Sequence, residues 1–430
     1  MSMLVLGSLF GIVTLLFMFS GAPIAFALGS VAVLFMALFM PASALDTVTQ
    51  NVYEEMASIT LLSIPLFILK GAAIGKSRAG QDLYAAMHVW MGRIPGGLGI
   101  ANVFACALFA AMAGSSPATC SAIGSAGIPE MRKRGYSPGF AAGIIAAGGT
   151  LGILLPPSIT MILYAVAAEQ SLGRLFLAGI APGILLVVLF AVYAALRYRK
   201  EYALAEAEFN RTGAASALLS KETFTTRQKF EMLPRVVPFV LLLIGVMVAL
   251  YGGFATPSET AGLGALLALG LIAVIYGVWR PRDVAPILTS TLKESTMLMF
   301  IIGMSLLFSY VMSYLHISQA VAEWIVGMHL SKWVLLAAVL LMVILLGFFL
   351  PPVSIILMTI VMETGLIHPP VGLNIFVIKN IAPDIDLRDI IWGVLPFVVL
   401  MLLAVLLICI FPSIATGLPD LVMGAVAAGH

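Results

Sequence analysis

Ser115, Ser116 and Thr119 stand with Pro117 in the run AGSSPAT (Ala113 to Thr119), which interrupts the apolar segment begun at Gly97 before Cys120 to Met131 leads to a basic cluster. Their hydroxyls, with open main-chain carbonyls, are the oxygen donors that a hard cation such as Na⁺ takes. The plainer reading is a helix start, with a serine cap and a proline in the first turn. A second signal is GILLPPS (Gly152 to Ser158), matched late in the chain by GLIHPPVG (Gly365 to Gly372). In both, a glycine is followed four residues later by a proline pair, which removes donors and breaks a helix. The freed carbonyls would face an ion or a substrate; the alternative is a pair of simple kinks, since prolines are frequent in membrane helices.

Other groups weigh differently. Thr256-Pro257-Ser258-Glu259 reads as a capping box and not as a membrane acid. Glu363 lies in an apolar run just before the last break, where an ionisable group is costly; it serves either ion coupling or contact with the linker or interface. His88, His316, His329, His368 and His430 lack metal-ligand spacing, and only His368 lies at a break. No HExxH, GxSxG, P-loop or paired-carboxylate pattern is visible, so no enzyme and no cofactor is implied.

These residues have to be positioned in a bilayer. The 430 residues are 61% hydrophobic and 10% charged, more apolar surface than one soluble core hides. Apolar runs of roughly 17 to 22 residues recur from end to end, so the expected fold class is an all-α polytopic membrane protein. A net charge of +2, with basic residues in short clusters, excludes nucleic acid as a partner. Cys106, Cys120 and Cys409 lie in apolar segments, which argues against disulfides. Met1 to Ser20 lacks a basic n-region and reads as a retained helix.

Charge then assigns sides. No Lys or Arg precedes Lys70, so the polar stretch after the first two apolar segments, with Asp46, Glu54 and Glu55, should face the periplasm. Arg93 and Arg132 to Arg134 flank the AGSSPAT region and both want the cytoplasm. This favours a helical hairpin entering and leaving on one side with its tip at Ser115 and Ser116; two short crossings are the alternative. Arg197 to Arg235 is one long polar segment, read as a cytoplasmic linker. The expected organisation is a first inverted repeat (1–196, with a hairpin at about 94–131 and a broken helix at 140–168), the linker (197–235), and a second repeat (236–430). In the second repeat the hairpin and broken-helix region, 333–380, is shortened. Corresponding interrupted segments in two inverted halves point to a midplane binding site in secondary transporters.

Together these residues resemble the large membrane subunit of TRAP transporters (tripartite ATP-independent periplasmic transporters), in the ion-transporter superfamily. The resemblance rests on GAPIAFALG, IPLFILKGAAIG, RIPGGLGIANVFACALFAAMAGSSPATCSAIG, GYSPGFAAGIIAAGGTLGILLPPS, GGFATPSETAG and HPPVGLNIFV, in that order along nearly the whole chain. It implies a multi-pass protein of the bacterial inner membrane and an elevator-type, Na⁺-coupled carrier. It also implies a small membrane subunit and a periplasmic binding protein as partners, and an organic acid substrate such as a C4-dicarboxylate or sialic acid. By motif, the first ion site would use Ser115, Ser116 and Thr119 with Gly152 and Pro156. The second would use Gly347, Pro351, Ser354, Gly365 and His368. Substrate contacts would fall to Ser115, Ser158, Pro369 and Asn374.

One departure stands out. The family usually carries Asp-Pro or Asn-Pro at the second tip, where this chain has Leu350-Pro351-Pro352. Ala113 to Gly152 is 39 residues, whereas Gly347 to Gly365 is 18. At ~1.5 Å per residue the shorter interval reaches only about 27 Å, so one arm or half-helix is missing, and ILMTIVM reads as a junction of two similar segments. Weakened or absent transport is expected. The alternatives are a stand-alone Na⁺/dicarboxylate carrier that needs no binding protein, and a transport-defective membrane scaffold.

Overall fold

Helix ends in this chain are set by a few residues with special backbone chemistry. Thr256 caps one helix by accepting from the Glu259 amide while the Glu259 side chain takes the Thr256 amide, so the capping box is present as the sequence suggested. Gly114 and Gly277 end their helices at φ +66° and +67°, a left-handed conformation that glycine adopts without strain.

The computed structural model describes residues 3–92, 94–167, 170–212, 224–327, 334, 364, 366–367 and 372–424. Among them run α1 (Met3–Phe19), α2 (Ile24–Phe39), α3 (Ala42–Met56), α4 (Ile59–Gly75), α5 (Ala79–Met91), α6 (Gly97–Ala113), α7 (Ser116–Lys133), α8 (Pro138–Leu154) and α9 (Ile159–Ala167). They are followed by α10 (Leu172–Thr212), α11 (Thr226–Glu231), α12 (Leu233–Tyr251), α13 (Pro257–Tyr276), α14 (Pro281–Tyr314), α15 (Ile317–Gly327), α16 (Leu373–Ile381), α17 (Leu387–Ile410) and α18 (Ser413–Met423). No strand occurs among the described residues. Among the described residues, six stretches are long and apolar enough to cross a membrane: Pro138–Ala165, Leu172–Thr212, Leu233–Tyr251, Pro257–Tyr276, Pro281–Tyr314 and Leu387–Ile410.

The chain forms two compact units, each drawing on both halves of the sequence. One holds α1 to α3, the first residues of α4, most of α14, and α15. Its core is aromatic: the Phe10 ring meets Phe35 edge-on at 4.8 Å and Phe308 at 4.6 Å, over Val31, Val48, Val311 and Ile317.

The other unit holds the rest of α4 through α13, the start of α14, and α16 to α18. At its centre lies α8, buried at every residue from Phe140 to Leu154. A helix that apolar on all sides needs partners all round, and α6, α7, α10 and α17 supply them. The α8–α17 crossing is so close that a Cβ on Gly393 would stand 1.8 Å from the Gly139 carbonyl oxygen, and one on Gly143 2.3 Å from that of Gly393. Small residues allow this backbone approach within a membrane. The polar segment after Leu196 is helical at its start, since α10 continues to Thr212.

Candidate functional site

Two helices joined by a short turn stand around AGSSPAT. Helix α6 stops at Ala113, the chain turns at Gly114 and Ser115, and α7 runs back; Asn102 on α6 and Gly127 on α7, equally far in sequence from the turn, lie face to face. Helix α7, from the tip to Lys133, has 18 residues, and α8, from its start to the break, has 17. Nearly equal arms joined by a short loop bring tip and break to one depth, with α9 continuing past both.

The tip and the break touch. A Cβ on Gly152 would lie 2.7 Å from the Ser115 carbonyl carbon and 2.9 Å from the Ser116 amide nitrogen. One on Gly114 would lie 2.7 Å from the Pro157 carbonyl oxygen. Pro156 and Pro157, joined by a cis peptide, form the break with Leu155 and Ser158. Four helix ends therefore converge. The carboxyl ends of α6 and α8 direct carbonyls and partial negative charge inward, and the amino ends of α7 and α9 direct amides and partial positive charge. One pair of ends suits a cation and the other an anion.

Side chains complete the arrangement. Ser115 occupies the N-cap position of α7, yet its side chain makes no capping bond. The bland reading of that serine is right about position and wrong about the hydroxyl. Thr119 is buried and donates its hydroxyl back to the Ser115 carbonyl at 2.8 Å, which leaves its lone pairs. Ser116 and Ser158 are buried, with the Ser158 hydroxyl accepting from the Met161 amide at 3.5 Å. Asn374, in the first turn of α16, reaches the same place. Its amide donates to the Ala146 carbonyl at 3.2 Å, and its buried Oδ1 has no partner among the described residues. Gly149 leaves it room, since a Cβ there would meet Asn374 Nδ2 at 3.4 Å.

Ser115, Ser116, Thr119, Gly152, Pro156, Ser158 and Asn374 thus gather at one site. Gly347, Pro351, Ser354, Gly365, His368 and Pro369, expected at a second site, lie outside the described residues, as does Glu363. Among the described residues no group of three or more His, Cys, Asp and Glu is placed to hold a metal ion. Oxygen ligation at the tip would rest on hydroxyls, carbonyls and Asn374.

Two residues were missed in the sequence reading. Lys70 on α4 is 1% exposed, with its ammonium 4.9 Å from the Phe67 ring centre, and its neighbour Gly71 packs against the Ala113 carbonyl at the end of α6. A lone lysine in an apolar helix is itself the signal. Asn102 is fully buried, with Nδ2 donating to Leu98 and Oδ1 unpartnered among the described residues. At the hairpin base, Arg132 pairs with Asp384 and holds its carboxyl below the usual range. Partial burial raises the Glu130 carboxyl, but Arg134 and Lys133 outweigh that and keep it low.

The family model "Tripartite ATP-independent periplasmic transporter, DctM component" matches residues 11–362 and 353–414. The C4-dicarboxylate TRAP transporter large permease protein DctM of Pseudomonas aeruginosa is 34% identical, over 91% of this chain and 93% of its own. The protein of the same name from Rhodobacter capsulatus is 33% identical, over 96% and 98%. The sialic acid TRAP transporter large permease protein SiaM of Vibrio cholerae is 26% identical, over 97% and 99%. The crystal structure of the Alcanivorax borkumensis YdaH transporter matches with a TM-score of 0.59, covering 94% of this chain and 99% of that one; at 14% identity the likeness is one of fold. With a family match from one end to the other and relatives above 30% identity, the chain belongs to the DctM family: it is the large permease subunit of a TRAP transporter, a multi-pass inner-membrane protein and not an enzyme.

Proposed function

We propose that this subunit couples Na⁺ entry to the uptake of an organic acid, with the hairpin tip and the α8–α9 break forming the first ion site and Asn374 bordering the substrate. The observation that carries the reading is the meeting of Ser115 and Gly152, which sets an uncapped serine hydroxyl and two helix carboxyl ends around one point. Relatives are named for C4-dicarboxylate, sialic acid and isethionate, which share an anionic headgroup suited to the amino ends of α7 and α9. A periplasmic binding protein delivers the substrate, a small membrane subunit completes the permease, and the movement is of the elevator type. In support of the small subunit, the Oleidesulfovibrio alaskensis relative bears the joint name DctMQ, and its alignment with this chain covers 64% of it.

Thermal unfolding of the purified chain in NaCl against choline chloride tests the ion site. Na⁺ raises the midpoint of the wild type, the stabilisation being about 2.7 kcal/mol at a hundred times the dissociation constant. Ser115→Ala needs several-fold more Na⁺ for the same rise. A midpoint indifferent to Na⁺ would sink the ion site.

A second reading rests on length. The alignment with the Rhodobacter capsulatus relative runs over 450 positions, more than the 430 residues of this chain, so residues of the relative stand opposite gaps. The two family matches also overlap at 353–362, around ILMTIVM. Both support a second repeat that has lost an arm, leaving ion binding at the first tip but weak or no transport. Reconstitution with the small subunit and binding protein separates the readings: a Na⁺ response with vigorous uptake favours the carrier, and the same response without uptake favours the shortened scaffold. Uptake without a binding protein would point instead to a stand-alone carrier.

A further inference from the structure

Away from the hairpin tip, at the end of the second unit that carries the loop between α7 and α8, a cavity of about 320 Å³ opens between the starts of α8 and α17 and the flank of α10. Ser137, Phe140, Tyr193, Arg197, Asp389 and Trp392 line it. It adjoins the Gly139–Gly393 crossing, where the backbones approach so closely that only side chains further out can fill the space.

Its charges are arranged in an unusual way. Arg197 donates through Nε to Glu201 at 3.1 Å, and Glu201, 8% exposed, also accepts the Ser137 hydroxyl at 2.5 Å. The guanidinium is thereby fixed from one side, and its two terminal nitrogens have no partner among the described residues. Asp389, in the first turn of α17, is exposed and also unpartnered among the described residues. No ion pair within 4.0 Å joins Arg197 to Asp389. A cation and an anion thus line one cavity without meeting. A cavity lined by both suits a ligand with a negative and a positive group of its own, bound by a bidentate guanidinium at one end and a carboxylate at the other.

The surroundings are those of a lipid. Trp392 is 63% exposed beside Tyr193, two rings of the kind that sit at the headgroup level of a bilayer. From Trp392 an exposed apolar stripe continues along α17 through Leu395, Val399 and Leu402, at helical spacing. The basic cluster Arg132 to Arg134 puts this end on the cytoplasmic side.

We propose that the cavity seats the headgroup of an aminophospholipid from the inner leaflet. The phosphate bridges to the terminal nitrogens of Arg197, the primary ammonium donates to Asp389, and an acyl chain follows the Trp392–Leu402 stripe.

Native mass spectrometry of the full chain, titrated with phosphatidylethanolamine, phosphatidylglycerol or phosphatidylcholine, tests this. Phosphatidylethanolamine should bind about tenfold more tightly than either of the others, one lacking the ammonium and the other its hydrogen-bond donors. Asp389→Asn, which disturbs no bond within the protein, should bring the three lipids within about twofold of one another. Arg197→Gln should weaken both phosphatidylethanolamine and phosphatidylglycerol; because it also cuts the bond to Glu201, Asp389→Asn is the deciding variant. Equal binding of the three lipids by the wild type, or an undiminished preference in Asp389→Asn, overturns the proposal. So does full displacement of the lipid by soluble phosphoethanolamine, which would show that the acyl chain adds nothing.

Discussion

Gly152 is where the site has least tolerance. Its missing side chain is what lets the Ser115–Ser116 backbone rest on α8, so Gly152→Val forces the tip away from the break. The expected cost is about 1–3 kcal/mol of stability, as for other overpacked interiors, together with a several-fold weaker Na⁺ response. Thermal midpoints with and without Na⁺ separate the two effects, and an unchanged Na⁺ response would mean that the tip and the break do not form the site together. Much of this was legible in the sequence. A serine pair before proline in an apolar run announced the tip, and a glycine four residues before Pro-Pro announced the break. Asn374 was legible only through motif resemblance, because its relevance comes from a contact with Ala146, 228 residues away. Lys70 was overlooked although its position as a lone lysine within an apolar helix marks it out.

At the level of the element, the capping box at α13 offers a clean contrast with the hairpin tip. Both have a hydroxyl residue followed by proline, but Thr256 satisfies the Glu259 amide while the Ser115 side chain makes no capping bond. Thr256→Ala should lower stability by about 1 kcal/mol and leave the Na⁺ response intact. A loss of Na⁺ response in that variant would contradict its structural role. The start of α10's extension was readable in principle: after Leu196 the chain runs through Ala, Glu, Lys and Arg, all good helix formers, and their polarity was taken as a linker property first. The α8–α17 crossing was not readable at all, since nothing local pairs Gly139 and Gly143 with Gly393.

For the whole molecule, the base of the hairpin is tied to the loop between α16 and α17 by Arg132 and Asp384. The hydrogen bond from Arg132 holds the Asp384 carboxyl below its usual 3.8, so the folded state binds this proton less readily than the unfolded chain. The pair therefore contributes stability at every pH above 3.8 and loses that contribution only as pH falls through the depressed value. Asp384→Asn should show a slightly lower thermal midpoint than the wild type at pH 7, and the gap should close below pH 3.8 and in high salt. A gap that persists in acid would assign the effect to something other than this charge.

Helix α10 has 41 residues, about 62 Å at ~1.5 Å per residue, roughly twice the thickness of the hydrocarbon layer. Its membrane-length portion packs among α6, α8 and α17, and the helix runs on well past the length a bilayer needs. Through Glu201 and Ser137 it grips the first residue ahead of the interrupted span. A shift of its later turns would therefore pull first on the root of α8, through the Glu201–Ser137 bond.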